Sequence, residues 1–379
     1  MKTLIKNVII VKENEKFSGC LLIDEGKICQ ISKEEICRTD YQVIDGNQCY
    51  LPPGMIDIHL HGSYGYDFIN EPEKVLDIIS KGLIKEGTTS FLASLTVVSH
   101  QDALKLLKNY GGLQSPEEGA HFIGVHYEGP YLSVEKKALM DETYLRDPSI
   151  EELDEMLSVA NGKLLYMTIA PERDGMKQFI EYGKDKLVLM IGHTMATSQQ
   201  ASEALQLGCK GFTHLYNAML QHQHRQPGAV TAALNSKDAY SELIVDGNHI
   251  HPDVIKATYR TLTSEQIILI TDAMLAKGMD DGVYTFSNLE CKKTGDQIHV
   301  IKNGIFAGSV ITQLDAIKHM RDFCQCDVVD LFKMASRNPA KLLNLHSKGT
   351  IEEGKDADLI LLDKDLNLKA TFISGKQVY

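Results

Sequence analysis

Eight apolar runs recur along the middle of the chain, and most are followed by a segment with helical periodicity. This alternation constrains the fold more than any other feature. The runs are Met55 to His61, Thr88 to Leu95, His121 to Glu128, Leu164 to Ala170, Leu187 to His193, Gly211 to Asn217, Glu242 to Asn248 and Gln266 to Asp272. Each is short and apolar enough to read as a buried strand. Pro72 to Glu86 carries Val75, Leu76, Ile79, Leu83 and Ile84 on one helical face. Gln101 to Tyr110 and Ser198 to Leu207 read the same way, with Ser198 expected as N-cap and Gly208 as the residue past the C-terminus. Eight strand-then-helix units predict an α/β fold, a (β/α)8 TIM barrel.

The two ends read differently. Leu4 to Val11, Gly19 to Asp24, Lys27 to Ile31 and Gln42 to Asp45 are apolar runs or alternations, and Asp24-Glu25-Gly26-Lys27 is a hairpin signal. Gly349 to Ile351, Ala357 to Leu362 and Ala370 to Val378, with a turn at Ser374-Gly375, resemble them. Two β-rich ends around a long middle predict a small β-sandwich domain built from residues 1–52 and 345–379, with the barrel over 53–344. A length of 379 residues suits a barrel with such an appendage.

Composition narrows the partners. A net charge of −12 argues against nucleic acid and anionic membrane. No stretch approaches the ~18 consecutive apolar residues of a membrane span. Met1 to Asn7 lacks the apolar core and small-residue site of a signal peptide. The eight cysteines form no Cys-x-x-Cys: Cys20, Cys29, Cys37 and Cys49 are scattered, and Cys324 and Cys326 are too close for a usual zinc site. A disulfide framework is not expected at this size, so a reducing cytoplasm is.

In such a barrel the working face lies at the carboxyl ends of the strands. Side chains alternate along a strand, so Asp57, His59 and His61 share one face of the first. The third ends in His126-Tyr127-Glu128, the fifth in Gly192-His193-Thr194, and the sixth carries His214 to Ala218. The seventh ends in Asp246-Gly247-Asn248-His249 and the eighth in Thr271-Asp272-Ala273. Imidazoles and carboxylates gathered there suit Zn²⁺ or Fe²⁺ rather than Mg²⁺.

These segments resemble the amidohydrolase superfamily, and within it the N-acetylglucosamine-6-phosphate deacetylases. The matching stretches are Pro53 to Gly62, His126-Tyr127-Glu128-Gly129-Pro130-Tyr131, Gly192 to Ala196, His214 to Met219, His224 to Gly228, Thr271 to Met274, Ala307-Gly308-Ser309, Ser336 to Ala340, and Gly349 to Asp358. The resemblance implies that Glu128, His193 and His214 bind one divalent ion. His59 and His61 would hold a second, bridged by Glu128, so one or two ions per subunit are implied. Asp272 matches the catalytic carboxylate. Asn217, Ala218, Arg225, His249, Phe306, Ala307 and Gly308 match positions that bind the substrate, a phosphorylated N-acetyl amino sugar. In the family the counterpart of Arg225 reaches the phosphate across a subunit interface, which implies a homodimer.

The chemistry fits those roles. A bound Zn²⁺ lowers the pKa of water from 15.7 to about 7 and polarises a carbonyl, and a carboxylate within hydrogen-bond reach moves the proton. The overall negative charge does not decide the sign inside the site, because surface charges are screened beyond about 8 Å. Guanidinium donors such as those of Arg225 suit phosphate.

Three departures from the family pattern stand out. Met140 occupies the place of a histidine that contacts the sugar, and a thioether cannot donate a hydrogen bond. Met219 to His224 lacks the usual Ser-Pro, and a Gly-Gly pair is missing after Tyr284. N-acetylgalactosamine 6-phosphate, or another N-acyl substrate, is therefore an alternative to N-acetylglucosamine 6-phosphate. A different amidohydrolase reaction and a non-enzymatic binding barrel are the competing classes.

Overall fold

The structure is a computed structural model and describes residues 2–36, 38, 40–286 and 289–379; Met1, Cys37, Thr39, Ser287 and Asn288 lie outside the described residues. The eight barrel strands are Met55–Asp57, Thr88–Leu95, His121–Glu128, Leu164–Ile169, Val188–Ile191, Gly211–Phe212, Tyr240–Ile244 and Ile267–Ile270. They lie side by side in chain order, each parallel to its neighbour. The first and eighth are joined beyond their ladders by a bridge between Leu60 and Ala273. This is the expected TIM barrel. Ile, Leu, Met and Phe side chains of the strands pack with the helices around them in one large apolar core.

The strands are shorter than the apolar runs suggest. The first ladder stops at Asp57, because the next residues bond outward: Leu60 N donates to Ser94 Oγ at 2.9 Å, and Ser94 N donates to Leu60 O at 3.0 Å. His59 and His61 therefore sit on an irregular segment that leaves the barrel rim.

A helix follows each strand. Pro72–Leu83 starts with proline at its first position, where no N–H is needed, and tightens into a 3₁₀ turn over Ile84–Glu86 before Gly87 at φ 80°. His100–Gly112 has Ser99 as its N-cap. Ser198–Leu207 spans the expected residues, but its cap is Thr197 rather than Ser198. Thr197 and Gln200 form a capping box that satisfies two N–H groups reciprocally. Gly208 ends that helix as expected.

The terminal strands form an eight-stranded sheet with a separate apolar cluster around Ile5, Ile10, Leu21, Ile23, Leu359 and Phe372. Its hydrogen-bonded path runs through Lys376–Gln377, Leu368–Ile373, Leu359–Leu362, Tyr50–Leu51, Thr3–Val11, Lys16–Asp24 and Lys27–Ser32; Gln42–Asp45 pairs with Thr3–Val11 beside it. Gly349 to Ile351 is not a strand. Gly349 turns at φ 83° where a Cβ would meet Ala340 at 2.5 Å, and this turn delivers Ile351 into the sheet's core.

One element has no counterpart in the sequence reading. Between the eighth strand and the helix Gln313–Cys324, the segments Gly282–Phe286, Leu289–Thr294 and Gln297–Val300 form an antiparallel three-stranded sheet. Its buried face (Phe286, Cys291, Ile298, Val300) packs on Met274, Leu275 and Ala307, beside the barrel mouth.

Candidate active site

Five donor side chains converge at the carboxyl face. Glu128, the last residue of the third strand, places Oε1 at 3.0 Å from both His193 Nε2 and His214 Nε2. Its Oε2 lies 3.1 Å from His61 Nε2, and His59 Nε2 is 3.5 Å from Oε1. His59 and His61 approach each other at 3.2 Å through Nε2, and His193 and His214 at 3.1 Å. Two groups of three could hold an ion, His59–His61–Glu128 and Glu128–His193–His214, and all five residues are buried. Asp272 Oδ1 stands 3.4 Å from Nε2 of both His59 and His61.

The outer nitrogens explain why Nε2 faces inward. His61 Nδ1 lies 3.1 Å from Ser94 O, and His193 Nδ1 lies 2.6 Å from Lys136 O; both acceptors require a proton on Nδ1. His59 Nδ1 is 3.1 Å from Glu242 Oε2. Three rings are thus fixed as tautomers whose Nε2 lone pairs point at one another and at Glu128, the arrangement that outer-sphere acceptors impose on metal ligands. Lone pairs so close repel unless a cation lies among them.

The electrostatics point the same way. Burial pushes His59 down to about 4 even though Asp272 and Glu128 pull upward, so that ring is neutral. Burial also opposes charge on His61, but the Glu128 carboxylate outweighs it and lifts the ring to about 9, so its Nε2 lone pair takes up a cation, a proton where no metal competes, more readily than a free imidazole does. Burial would raise Glu128, yet His193, His59 and His214 hold it well below the usual carboxylate range. The cluster stabilises positive charge between its donors, so this donor set fits a divalent ion.

Backbone strain concentrates here. His193, His214, Ala218 and Asp272 all have φ between 30° and 49°, the left-handed region that non-glycine residues avoid. Asp272 is held in it by two backbone bonds: its N–H donates to His59 O at 2.9 Å, and its carbonyl accepts from Ser309 N at 2.8 Å.

A cavity of about 480 Å³ opens over the donors. Asn217, Ala218, His249, Phe306, Ala307 and Gly308 line it, together with His61, Glu128, His193, His214 and Asp272. Arg225 does not: it lies exposed on the loop after the sixth strand, outside the cavity of its own chain. Met140 lines the cavity while packed against Val97, Leu132 and Leu145. Leu139, Met274, Phe286 and Ile305 make the same wall apolar.

Some neighbours escaped the sequence reading. Glu242 is fully buried behind His59 and accepts from Tyr166 at 2.8 Å; burial lifts it to about 7 against that bond. Lys136 contributes a backbone carbonyl, which no residue type announces. Asp246 was visible at a strand end but carried no assignment. His126, also at a strand end, is a fully buried ring satisfied by Ser94 at 3.0 Å and Thr168 at 2.8 Å, outside the donor cluster.

Known proteins share this architecture. The amidohydrolase family model matches residues 50–378. The chain is 37% identical over 380 residues to the N-acetylglucosamine-6-phosphate deacetylase of Bacillus subtilis (strain 168), covering 98% of this chain and 96% of that protein. It is 34% identical over 329 residues to the N-acetylgalactosamine-6-phosphate deacetylase of Escherichia coli O157:H7, covering 86% and 87%. A mutant N-acetyl-D-glucosamine-6-phosphate deacetylase from Mycobacterium smegmatis, solved in complex with N-acetyl-D-glucosamine 6-phosphate, superposes with a TM-score of 0.92 at 28% identity, covering 100% of this chain and 99% of that one. The chain belongs to the amidohydrolase family, in its N-acetylglucosamine-6-phosphate deacetylase branch.

Proposed function

We propose that this enzyme hydrolyses the N-acetyl amide of N-acetylglucosamine 6-phosphate, giving glucosamine 6-phosphate and acetate. The observation that carries the reading is the convergence of His59, His61, Glu128, His193 and His214, with Asp272 3.4 Å from two of them, beneath one cavity that all of these but the fully buried His59 line. Relatives named for this reaction, similar over nearly the full chain, support it.

Glu128, His193 and His214 would hold one divalent ion, Zn²⁺ or Fe²⁺, and His59, His61 and Glu128 would hold a second. Such an ion supplies Lewis acidity, making water nucleophilic near pH 7 and the acetyl carbonyl more electrophilic. Asp272 accepts the proton of the attacking water and returns it to the nitrogen as the C–N bond breaks. Asn217, Ala218, His249 and Phe306 to Gly308 orient the sugar above it. Arg225 would reach the phosphate in the cavity of a second copy, as the family resemblance implies, and its exposure outside the cavity of its own chain supports that reading and the homodimer it needs. Among the described residues no helix is long and apolar enough to cross a membrane. A reducing cytoplasm is the compartment proposed, a reading supported by the free cysteines Cys20, Cys29, Cys49, Cys209, Cys291, Cys324 and Cys326.

A second reading, N-acetylgalactosamine 6-phosphate, is favoured by Met140, which puts a thioether rather than a hydrogen-bonding ring in the wall. The deciding experiment measures acetate release from both sugar phosphates on metal-analysed protein and on Asp272→Asn. Turnover of the gluco epimer, lost in the variant, supports the proposal. Turnover of the galacto epimer alone moves it to the second reading, and turnover of neither overturns both.

A further inference from the structure

His249 is held more tightly than a residue that merely borders a cavity. Its side chain is 7% exposed, and its Nδ1 lies 2.6 Å from Asp246 Oδ2. Asp246 is itself buried at the end of the seventh strand, and its other oxygen accepts the backbone N–H groups of Asn248 and His249, each at 2.8 Å. The carboxylate is therefore fixed by the turn it caps, and the ring is fixed by the carboxylate.

The inserted three-stranded sheet braces the same ring. Phe306 lies against His249 with centroids 4.7 Å apart and against His299 at 4.3 Å. His299 bonds Gly304 O at 3.1 Å and Gln297 Oε1 at 3.2 Å. Gln297 then donates to Asn248 Oδ1 at 2.7 Å, which returns the chain of contacts to the residue beside His249. Among the described residues, the one polar atom of the ring left without a protein partner is Nε2, and the ring lines the cavity.

We infer that Asp246 is the positioning residue of His249, fixing the tautomer that presents Nε2 to the cavity as an acceptor for a sugar hydroxyl. The inference rests on the reading of the cavity as an amino-sugar site. A carboxylate accepts only from a protonated Nδ1, so the neutral ring carries its lone pair on Nε2. An amide in place of the carboxylate reverses this. Its oxygen keeps the two backbone N–H groups, its NH₂ donates to Nδ1, and the ring proton moves to Nε2, as when an asparagine replaces a triad aspartate. Asp246 does this without touching the substrate, and the inserted sheet gains a role as the brace behind the ring.

The test compares wild type with Asp246→Asn on whichever sugar phosphate is turned over, alongside proton NMR of the imidazole N–H region. The expected result is a KM raised about tenfold, the factor set by losing one hydrogen bond of ~1.4 kcal/mol, with kcat little changed. A downfield N–H resonance present in wild type and absent in His249→Ala must also vanish in Asp246→Asn. An unchanged KM, or equal losses in kcat and folded fraction, would overturn the inference. If Asp246→Asn does not fold, Phe306→Leu keeps the carboxylate but removes the ring brace; it must raise KM while the resonance persists, and an unchanged KM overturns the idea. If wild type turned over neither sugar, the proposed function would fall, while the resonance would still decide the dyad.

Discussion

Asp57 accepts the Thr271 hydroxyl at 2.6 Å, joining the first barrel strand to the segment that follows the eighth, one residue before Asp272. No ladder pairs these two strands; the contact, the Leu60–Ala273 bridge and the bond from Asp272 N to His59 O close the barrel at the active-site rim. Both side chains are fully buried. Thr271→Val keeps the volume and deletes the donor, leaving a buried carboxylate short of a partner, which costs roughly 1–3 kcal/mol. Asp57→Asn retains an acceptor and is expected to cost less. Denaturant unfolding of both variants and their double mutant checks this; additive losses would mean that the pair does not act as a unit.

Glu128 is common to both donor groups, whereas His59 belongs to one. Glu128→Ala is therefore expected to abolish binding of both ions, and His59→Ala to remove at most one. Elemental analysis after dialysis reads the stoichiometry. An ion present at about a hundredfold its Kd stabilises the fold by ~2.7 kcal/mol, so chelation is expected to lower Tm in wild type and leave it unmoved in Glu128→Ala. A Glu128→Ala protein with a full complement of metal would contradict the assignment.

The donor cluster was legible in the sequence for a physical reason. Strand ends in a barrel share one face, so His59, His61, Glu128, His193, His214 and Asp272 could be read together without knowing any distance. His126 had the same credentials and is a satisfied core residue, because the choice depends on whether Ser94 and Thr168 lie within reach. The small sheet of Gly282–Phe286, Leu289–Thr294 and Gln297–Val300 leaves little apolar signal in the sequence, because its strands are short and few of their residues are buried. The roles of Asp246 and Glu242 are hidden by the same limit as that of Lys136: they act through contacts that exist only once turns and neighbouring strands are in place.

Asp358 couples the terminal sheet to the barrel. It pairs with Lys348, its Oδ1 accepts from Ser374 N at 2.8 Å, and His121 at the start of the third strand lies 3.5 Å away. Burial opposes its charge, but His121 and Lys348 win and hold the carboxyl at about 2 against the ordinary 3.8. A depressed folded-state pKa gives stability that is complete above the unfolded value and disappears as pH falls through the folded one. The window is thus about pH 4 down to about pH 2, and the size is on the order of 2 kcal/mol at ~1.4 kcal/mol per pKa unit. Asp358→Asn is expected to lower stability near neutrality and to flatten the acid limb of a stability–pH curve. A variant curve parallel to wild type through that window would refute this.

Gly308 governs the geometry of Asp272 from behind. Its φ of 63° is left-handed, and a Cβ there would meet the Asp272 carbonyl oxygen at 2.8 Å, too close for either to stay. That carbonyl is already committed to Ser309 N, and Asp272 is itself strained at φ 48°. Gly308→Ala therefore meets two penalties: roughly 1–2 kcal/mol for a left-handed alanine, and a displacement of the backbone that carries the proposed proton acceptor. A shift of about 1 Å in a catalytic group costs on the order of a hundredfold in rate. The expected phenotype is a modest fall in Tm with a much larger fall in kcat, metal content being unchanged because the added Cβ meets Asp272 and Met274 rather than any of the five donors. Kinetics, thermal unfolding and elemental analysis on the same preparation separate these effects. Retention of full kcat in Gly308→Ala would show that Asp272 tolerates the shift and that its strained backbone does not set the rate.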